Sequence, residues 1–257
     1  KACGLDTKNV EFVWASDLLN SREYWKTVMQ VARHSTLHRI MRTVEIMGRS
    51  EQDTLHASQI LYPCMQVADI FHLRADICQL GMDQRKVNVL ARELGPQLGF
   101  WKPVAIHHHM LMGLGEPSQT TDATERAITM KMSKSKPDSA IFMTDTEEDV
   151  KRKITKAYCP EGKAEENPIL EYCKYIIFEK KSSLAIERPS KFGGNVTYTS
   201  YHDVETAFVQ RQLHPADLKN AVAREINILL NPIREHFAKN ANAKKLKELV
   251  ESYQVTR

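Results

Sequence analysis

Two lysines and two serines stand close together in a segment without a clear helical or strand pattern. They belong to the run Lys131-Met132-Ser133-Lys134-Ser135. A lysine is a point charge on a long flexible stem, so it suits a polyphosphate that moves during a reaction. A loop of this kind could close over a triphosphate and neutralise charge on departing pyrophosphate. For an arbitrary pair of lysines, a solvated basic loop would be the simpler interpretation.

A second set of polar residues has the spacing of one helix face. Tyr62, Gln66 and Asp69 follow an i, i+4, i+7 pattern. A carboxylate can accept a hydrogen bond from a substrate phenol, and a phenol with an amide can hold an ammonium group. The spacing alone leaves a polar, exposed stripe open as the alternative.

The histidines and cysteines do not have the spacing of a metal site. His107, His108 and His109 are adjacent, and neighbours on a strand point to opposite faces. His34 and His38 lie one helical turn apart but lack a third ligand. The five cysteines include no Cys-x-x-Cys pair, so we expect reduced thiols in a reducing compartment.

These residues must be positioned by alternating strands and helices, which indicate an α/β fold with parallel strands. We expect Asn20 and Glu23 to open a long helix, and Pro63 to bend or split the next one. Residues 108–138 lack a regular pattern, which is typical of a functional loop. The predicted elements are strands at 10–14, 76–80, 104–107 and 140–143, and helices at about 21–47, 54–73 and 83–94.

Beyond residue 143 the pattern is mainly helical. We expect a helix to about residue 157, another after Asn167-Pro168, a hairpin around Gly193-Gly194 and a long helix from Pro215. A lysine-rich helix closes the chain. The sequence therefore predicts two domains, at 1–143 and 144–257.

The composition is that of an ordinary globular protein. The chain has 257 residues, of which 42% are hydrophobic and 26% charged. No apolar run approaches the ~20 residues that would span a bilayer. A net charge of +4 permits an anionic partner without requiring one. Wholesale disorder, collagen-like repeats and a coiled-coil rod are excluded.

The run at 131–135 matches in full the Lys-Met-Ser-Lys-Ser signature of class I aminoacyl-tRNA synthetases. Over essentially its whole length, the chain resembles the tyrosyl-tRNA synthetases of archaea and the eukaryotic cytosol. This resemblance implies a Rossmann-like catalytic domain followed by a mainly α-helical anticodon-binding domain. Residues 1–143 would be the C-terminal part of the catalytic domain, with a dimerisation insertion around Pro63. The matching stretches are 62–70, 81–86, 156–160, 191–194 and 214–220.

The resemblance implies a cytoplasmic enzyme that activates tyrosine with ATP and transfers it to tRNA-Tyr. Magnesium would accompany ATP, and no tightly bound metal is expected. Lys131 and Lys134 would stabilise the transition state in which pyrophosphate leaves. The implied catalytic residues are Lys131, Ser133, Lys134 and Ser135, the tyrosine-binding residues are Tyr62, Gln66, Asp69 and Gln84, and the ATP-binding residues are Met132, His107 and Leu114.

The resemblance also implies residues that bind tRNA. Arg85 would read the first base pair of the acceptor stem. Phe192, His214 and Asp217 would clamp the first anticodon base. By residue type alone, Arg85 would be a common surface arginine, Phe192 is more often a packing residue, and Asp217 more often complements the dipole of a helix N-terminus. A basic run could face phosphates, with a solvated face as the alternative: Lys151, Arg152, Lys153 and Lys156.

The sequence departs from the family in one respect: none of its ten histidines lies in a His-Ile-Gly-His-like motif. The family carries that motif in an N-terminal part. We therefore expect this chain to be the C-terminal part of the enzyme, partnered by an N-terminal segment in a homodimer or tandem pseudo-dimer. Two alternatives stay open: a tryptophanyl-tRNA synthetase, against which Asp69 with Gln84 and the anticodon cluster argue, and a non-catalytic tRNA-binding half or paralogue.

Overall fold

The computed structural model describes residues 1–43, 56–118, 130, 132 and 136–253. The chain divides into two compact units by packing. The first, called the helical unit here, is drawn from 1–10, 111–117 and 130–257; the second, the α/β unit, is drawn from 11–110 and 118–129. Packing thus groups residues 111–117 and the described residues of 130–143 with the helical part, whereas the sequence places its domain boundary at 143.

The described part of the α/β unit contains one pair of parallel strands. Ile77 pairs with Val104 and Gly81 with His108, which confirms the parallel arrangement. Helix α2 packs against α4, and together with α5 they bury the core. The elements are α1 (Ala15–Leu19), α2 (Arg22–Arg33), α3 (Leu37–Met41), α4 (Ala57–His72), β1 (Ile77–Gly81), α5 (Arg85–Leu94) and β2 (Val104–His108), with 3-10 turns at Met82–Gln84 and Pro96–Leu98. The 3-10 turn at Thr7–Asn9 belongs to the helical unit.

The strand predicted at 10–14 is wrong. The segment precedes α1 without pairing, and Phe12 and Trp14 are 78% and 76% exposed. Apolar β-formers make a strand only where a neighbouring strand takes up their backbone groups, and none in the described ranges does so here.

The start and end of the next helix also differ from expectation. Ser21, not Asn20, caps α2 by accepting from the Tyr24 N–H. The helix ends at Arg33, and Thr36 caps the short α3, because its hydroxyl accepts the Arg39 N–H and starts a new helix. Residues 44–55, which include Val44 and Met47, lie outside the described ranges. Pro63 does not split α4, which runs through it.

The helical unit forms around one core in which the long helix α10 packs against α6. Asn167 caps α7 with Pro168 at the first helical position, and the expected hairpin is confirmed by antiparallel pairing of β3 and β4. Its elements are α6 (Glu147–Lys156), α7 (Pro168–Tyr172), a π turn (Cys173–Ile177), α8 (Phe178–Lys180), β3 (Leu184–Ile186), β4 (Val196–Tyr198), α9 (Tyr201–Val209), α10 (Pro215–Lys239) and α11 (Ala241–Ser252), with 3-10 turns at Pro137–Ser139 and Ser190–Phe192.

The strand predicted at 140–143 is also wrong. The Ala140 carbonyl accepts from the Lys153 ammonium at 3.0 Å, and the Phe142 N–H donates to Asp145 at 2.9 Å. Side chains therefore take the backbone groups that a strand would need. Among the helices that the structure describes, none is long and apolar enough to cross a membrane.

Candidate functional site

A buried tyrosine orients the carboxylate of Asp69 in the α/β unit. Tyr24, on α2, is 1% exposed. Its hydroxyl donates to Asp69 Oδ1 at 2.7 Å and lies 3.3 Å from the Met65 carbonyl oxygen. Sequence reasoning missed Tyr24, because with Val28 and Val31 it follows the i, i+4, i+7 pattern of an ordinary core stripe.

The surroundings of Asp69 combine desolvation with hydrogen bonding. Burial raises the pKa of this carboxyl, while the Tyr24 hydrogen bond and the His72 charge act in the opposite direction. Burial, with the Asp69 contact, raises the pKa of Tyr24 far above its ordinary value, so the phenol stays protonated and donates. Thr27 Oγ1 lies 3.2 Å from His72 Nε2. Among the described residues none hydrogen-bonds Asp69 Oδ2, so that oxygen can accept from a ligand.

The amide pair predicted to hold an ammonium group is brought together. Gln66 lies one turn before Asp69 on α4, and its Nε2 donates to Gln84 Oε1 at 3.0 Å. Gln84 ends the 3-10 turn that follows β1, so the carboxyl end of a parallel strand positions it. Tyr62, one turn earlier on α4, is 49% exposed. These four side chains combine an acceptor for a phenol with polar groups for an ammonium.

His107 lies near the carboxyl end of β2 and is paired with a buried amide. Asn88 Nδ2 of α5 is 3.0 Å from His107 Nε2, and Asn88 is 1% exposed. Burial lowers the pKa of His107, and the charges of Arg85 and His108 lower it further. A neutral imidazole can offer one donor and one acceptor. Arg85 is exposed at the first position of α5.

Most of the signature run lies outside the described residues: Lys131, Ser133, Lys134 and Ser135. Met132 is half-buried and packs against the core of the helical unit. It lines an apolar cleft of about 870 Å³ together with Tyr172, Leu229 and Ile233. Leu114, only 2% exposed, belongs to that core. Its N–H donates to the Ser139 carbonyl and its own carbonyl accepts from the Tyr158 N–H.

The residues predicted to read an anticodon base lie on two neighbouring segments of the helical unit. Phe192 is 61% exposed at the end of a 3-10 turn, with the Lys191 ammonium 4.9 Å from its ring centre. His214 caps α10, because its Nδ1 accepts the Ala216 N–H at 3.1 Å. Asp217 stands in the first turn of that helix. An exposed ring and a carboxylate are the groups that stack on and pair with a splayed base.

The basic run on α6 does not face phosphates as a whole. Lys153 is 4% exposed and pairs with Asp145 at 2.7 Å. Arg152 pairs with Asp138 at 2.8 Å. The prediction is therefore wrong for Lys153, because a buried ammonium must be paired within the protein. Lys151 and Lys156 are exposed. No group of three or more potential metal-ligating side chains is found among the described residues.

The family described as "tRNA synthetases class I (W and Y)" matches residues 1–231. Tyrosine–tRNA ligase 1, cytoplasmic, of Arabidopsis thaliana is 50% identical over all of this chain and 65% of its own length. Tyrosine–tRNA ligase of Thermococcus sibiricus is 44% identical over all of this chain and 72% of its own length. The chain thus spans less than two thirds of the length of the Arabidopsis relative.

The chain is also similar to solved structures of tyrosyl- and tryptophanyl-tRNA synthetases. Tyrosyl-tRNA synthetase complexed with L-tyrosine from Pyrococcus horikoshii superposes with a TM-score of 0.86 at 42% identity, over 95% of this chain and 70% of that one. Tryptophanyl-tRNA synthetase from Aeropyrum pernix K1 has a TM-score of 0.63 at 19% identity, over 93% of this chain and 60% of that one. The second likeness concerns the fold alone.

Proposed function

This chain belongs to the family of class I tRNA synthetases for tryptophan and tyrosine, and we propose that it functions as a tyrosine–tRNA ligase. The observation that carries the proposal is the Asp69 carboxylate, whose Oδ1 accepts from Tyr24 and whose Oδ2 has no hydrogen-bond partner among the described residues. We propose that Oδ2 accepts from the substrate phenol. Phenylalanine would leave this desolvated acceptor unpaired, and tyrosyl-tRNA synthetase is itself the standard example of such rejection. The ammonium group of tyrosine would lie beside Tyr62, Gln66 and Gln84.

The proposed reaction has two steps. The tyrosine carboxylate attacks the α-phosphorus of ATP, which forms tyrosyl-adenylate and releases pyrophosphate. The adenylate then passes its tyrosyl group to the terminal ribose of tRNA-Tyr and releases AMP. Magnesium enters with ATP as part of the substrate.

The signature loop would serve the first step. Lys131 and Lys134, with the hydroxyls of Ser133 and Ser135, would neutralise charge on the leaving pyrophosphate. Since Met132 packs on the helical core, it would fix one point of that loop. His107 would lie near adenosine. Leu114 would act there through the segment that it anchors, because its side chain is buried.

The proposed tRNA contacts fall on both units. Arg85 is exposed and free of a described salt bridge, so its guanidinium can take an acceptor-stem base or phosphate. Phe192 would stack on the first anticodon base, and Asp217 would accept from its Watson–Crick edge with His214 beside it. We propose that residues 1–143 form the catalytic part of the chain and that residues 144–257 bind the anticodon.

An N-terminal segment of the same enzyme is proposed as a further partner. One face of the β1–β2 pair is open and largely apolar: Ile77, Val104 and Ile106 are 62%, 51% and 49% exposed there, beside the polar Gln79 and His108. Parallel sheets are normally covered on both faces. The proposal includes a homodimer or tandem pseudo-dimer and a cytoplasmic location, which is the location in the name of the first Arabidopsis relative.

Amino-acid-dependent ATP–pyrophosphate exchange tests the proposal. The chain should be assayed alone and with an upstream segment of a full-length tyrosine enzyme added as a second polypeptide. We expect exchange with tyrosine, and little with phenylalanine or tryptophan. Exchange with tryptophan only would identify a tryptophan enzyme. No exchange in either mixture, with tRNA binding retained, would identify a non-catalytic tRNA-binding half.

A further inference from the structure

We propose that Arg188 is a positioning residue for recognition of the first anticodon base. It would set the spacing between the loop that carries Phe192 and the helix start that carries His214 and Asp217. The inference rests on the proposed function, since it concerns how tRNA-Tyr is read. Arg188 itself is not placed against the base.

The contacts of Arg188 join two loops. Its Nε donates to the Gly194 carbonyl at 2.7 Å, and its Nη1 donates to the Gln212 carbonyl at 2.9 Å. Gly194 comes two residues after Phe192, and Gln212 comes two residues before His214. A single guanidinium therefore connects the two segments at points close to the proposed base-binding residues.

The residue type fits this task. The planar guanidinium presents several N–H donors in fixed directions, so it can hold two carbonyls at a defined separation. A lysine ammonium has the same charge but no such fork. The backbone N–H of Arg188 also donates to Asn195 Oδ1 at 3.0 Å, which fixes the base of the side chain against the same loop.

The backbone of the Phe192 loop leaves space for the Arg188 side chain. Gly193 has φ +96°, and a Cβ built on it would lie 3.2 Å from Arg188 Nη2. Gly194 has φ +70°, but a Cβ there would meet no atom within 4 Å. Both glycines permit the left-handed backbone, whereas only Gly193 also leaves room for the guanidinium.

A second arginine provides a matched control. Arg224 of α10 binds the same hairpin, with Nη2 2.5 Å from the Ala185 carbonyl and Nη1 2.8 Å from Glu187 Oε1. In the hairpin it contacts β3 and the residue after it, and its Nε donates to Glu225 Oε1 of α10 at 3.3 Å. None of these contacts is made to the Phe192 loop. Replacing either arginine by lysine keeps the positive charge but removes the planar guanidinium that donates to two acceptors.

The test is aminoacylation of two tRNA-Tyr transcripts, one with guanine and one with cytosine at the first anticodon position. Arg188→Lys and Arg224→Lys would be made in this chain, supplemented with the upstream segment if activity requires it. We expect Arg188→Lys to lower kcat/KM for the guanine transcript about tenfold, mainly through KM, and to reduce the guanine-to-cytosine ratio similarly. Tyrosine-dependent pyrophosphate exchange should stay unchanged. Arg224→Lys should leave the ratio at its original value.

A second pair of variants distinguishes displacement of Arg188 from a general loss of folding. Gly193→Ala should reduce the ratio as Arg188→Lys does, because the added methyl displaces the guanidinium without changing its charge. Gly194→Ala has a similar backbone penalty and should reduce it much less. Equal ratios for Arg188→Lys, Arg224→Lys and the unchanged chain would overturn the inference. If the unchanged chain itself shows no base preference, and Asp217→Ala has no effect on either transcript, the proposed anticodon contacts fail and the inference fails with them. The proposed function fails instead if the unchanged chain, with the upstream segment added, shows no tyrosine-dependent exchange.

Discussion

Replacing Tyr24 by phenylalanine would remove one oxygen atom and leave the buried ring in place. That oxygen donates to Asp69 at 2.7 Å. A hydrogen bond to a charged acceptor contributes about 1.5–3 kcal/mol. Asp69 is only partly buried, so water can replace part of the contact, and we take the lower end. A loss of about 1.5 kcal/mol corresponds to roughly a tenfold fall in kcat/KM for tyrosine.

The pH dependence gives a more specific signature. Asp69 accepts from a substrate phenol in its ionised form, so activity falls as the pH drops through the pKa of this carboxyl. The Tyr24 hydrogen bond lowers that pKa, and its loss raises it. The acid limb of the kcat/KM profile should therefore move to higher pH in Tyr24→Phe. Discrimination between tyrosine and phenylalanine should fall with it.

The assay is tyrosine-dependent pyrophosphate exchange between pH 5 and 8, with urea unfolding measured in parallel. Tyr201→Phe is a matched control, because the Tyr201 hydroxyl donates to Glu205 at 2.7 Å within the helical unit. It should lose a comparable hydrogen bond without moving the acid limb. The reasoning would be refuted if Tyr24→Phe kept the original acid limb and the original amino-acid ratio while stability alone decreased.

Three further changes test the packing and electrostatics. Lys153→Met leaves the nearly buried Asp145 carboxylate without its ion-pair partner, and urea unfolding should show a loss of about 3–5 kcal/mol; a loss below about 1 kcal/mol would contradict a buried pair. Leu114→Ala should cost about 2–5 kcal/mol, whereas Leu246→Ala, at a side chain 61% exposed, should cost far less by the same measurement. Arg85→Met should raise the pKa of His107 in an NMR titration, because it removes a neighbouring positive charge; an unchanged pKa would show that the Arg85 charge does not contribute to the lowered value.

The elements that sequence reasoning predicted correctly are those whose signals are local. The two parallel strands and the helix between them are confirmed, and so is the long helix that Pro215 opens, because each carries its own apolar pattern or cap. The strands expected at 10–14 and 140–143 failed, since a strand depends on a partner that its own residues do not specify.

The candidate site shows the same limit. The spacing of Gln66 and Asp69 predicted a shared helix face, and the structure places Gln84 beside it. Tyr24 could not be predicted, because its hydroxyl meets Asp69 only after two helices pack. The prediction that the basic run on α6 faces phosphates failed at Lys153 for a similar reason. Only the fold shows that Lys153 points inward to a carboxylate.

The discontinuous make-up of the helical unit has a consequence for the order of folding. Residues 111–117 and the described residues from 130 onward are separated by a connection of 12 residues, whereas residues 1–10 join the same unit across the 100 residues of 11–110. While the chain is still unfolded, closing the longer connection costs about 2 kcal/mol more in chain entropy than closing the shorter one. Leu114 should therefore reach the core early, and the first ten residues should dock last. In hydrogen exchange residues 1–10 should open first, before α10 exchanges.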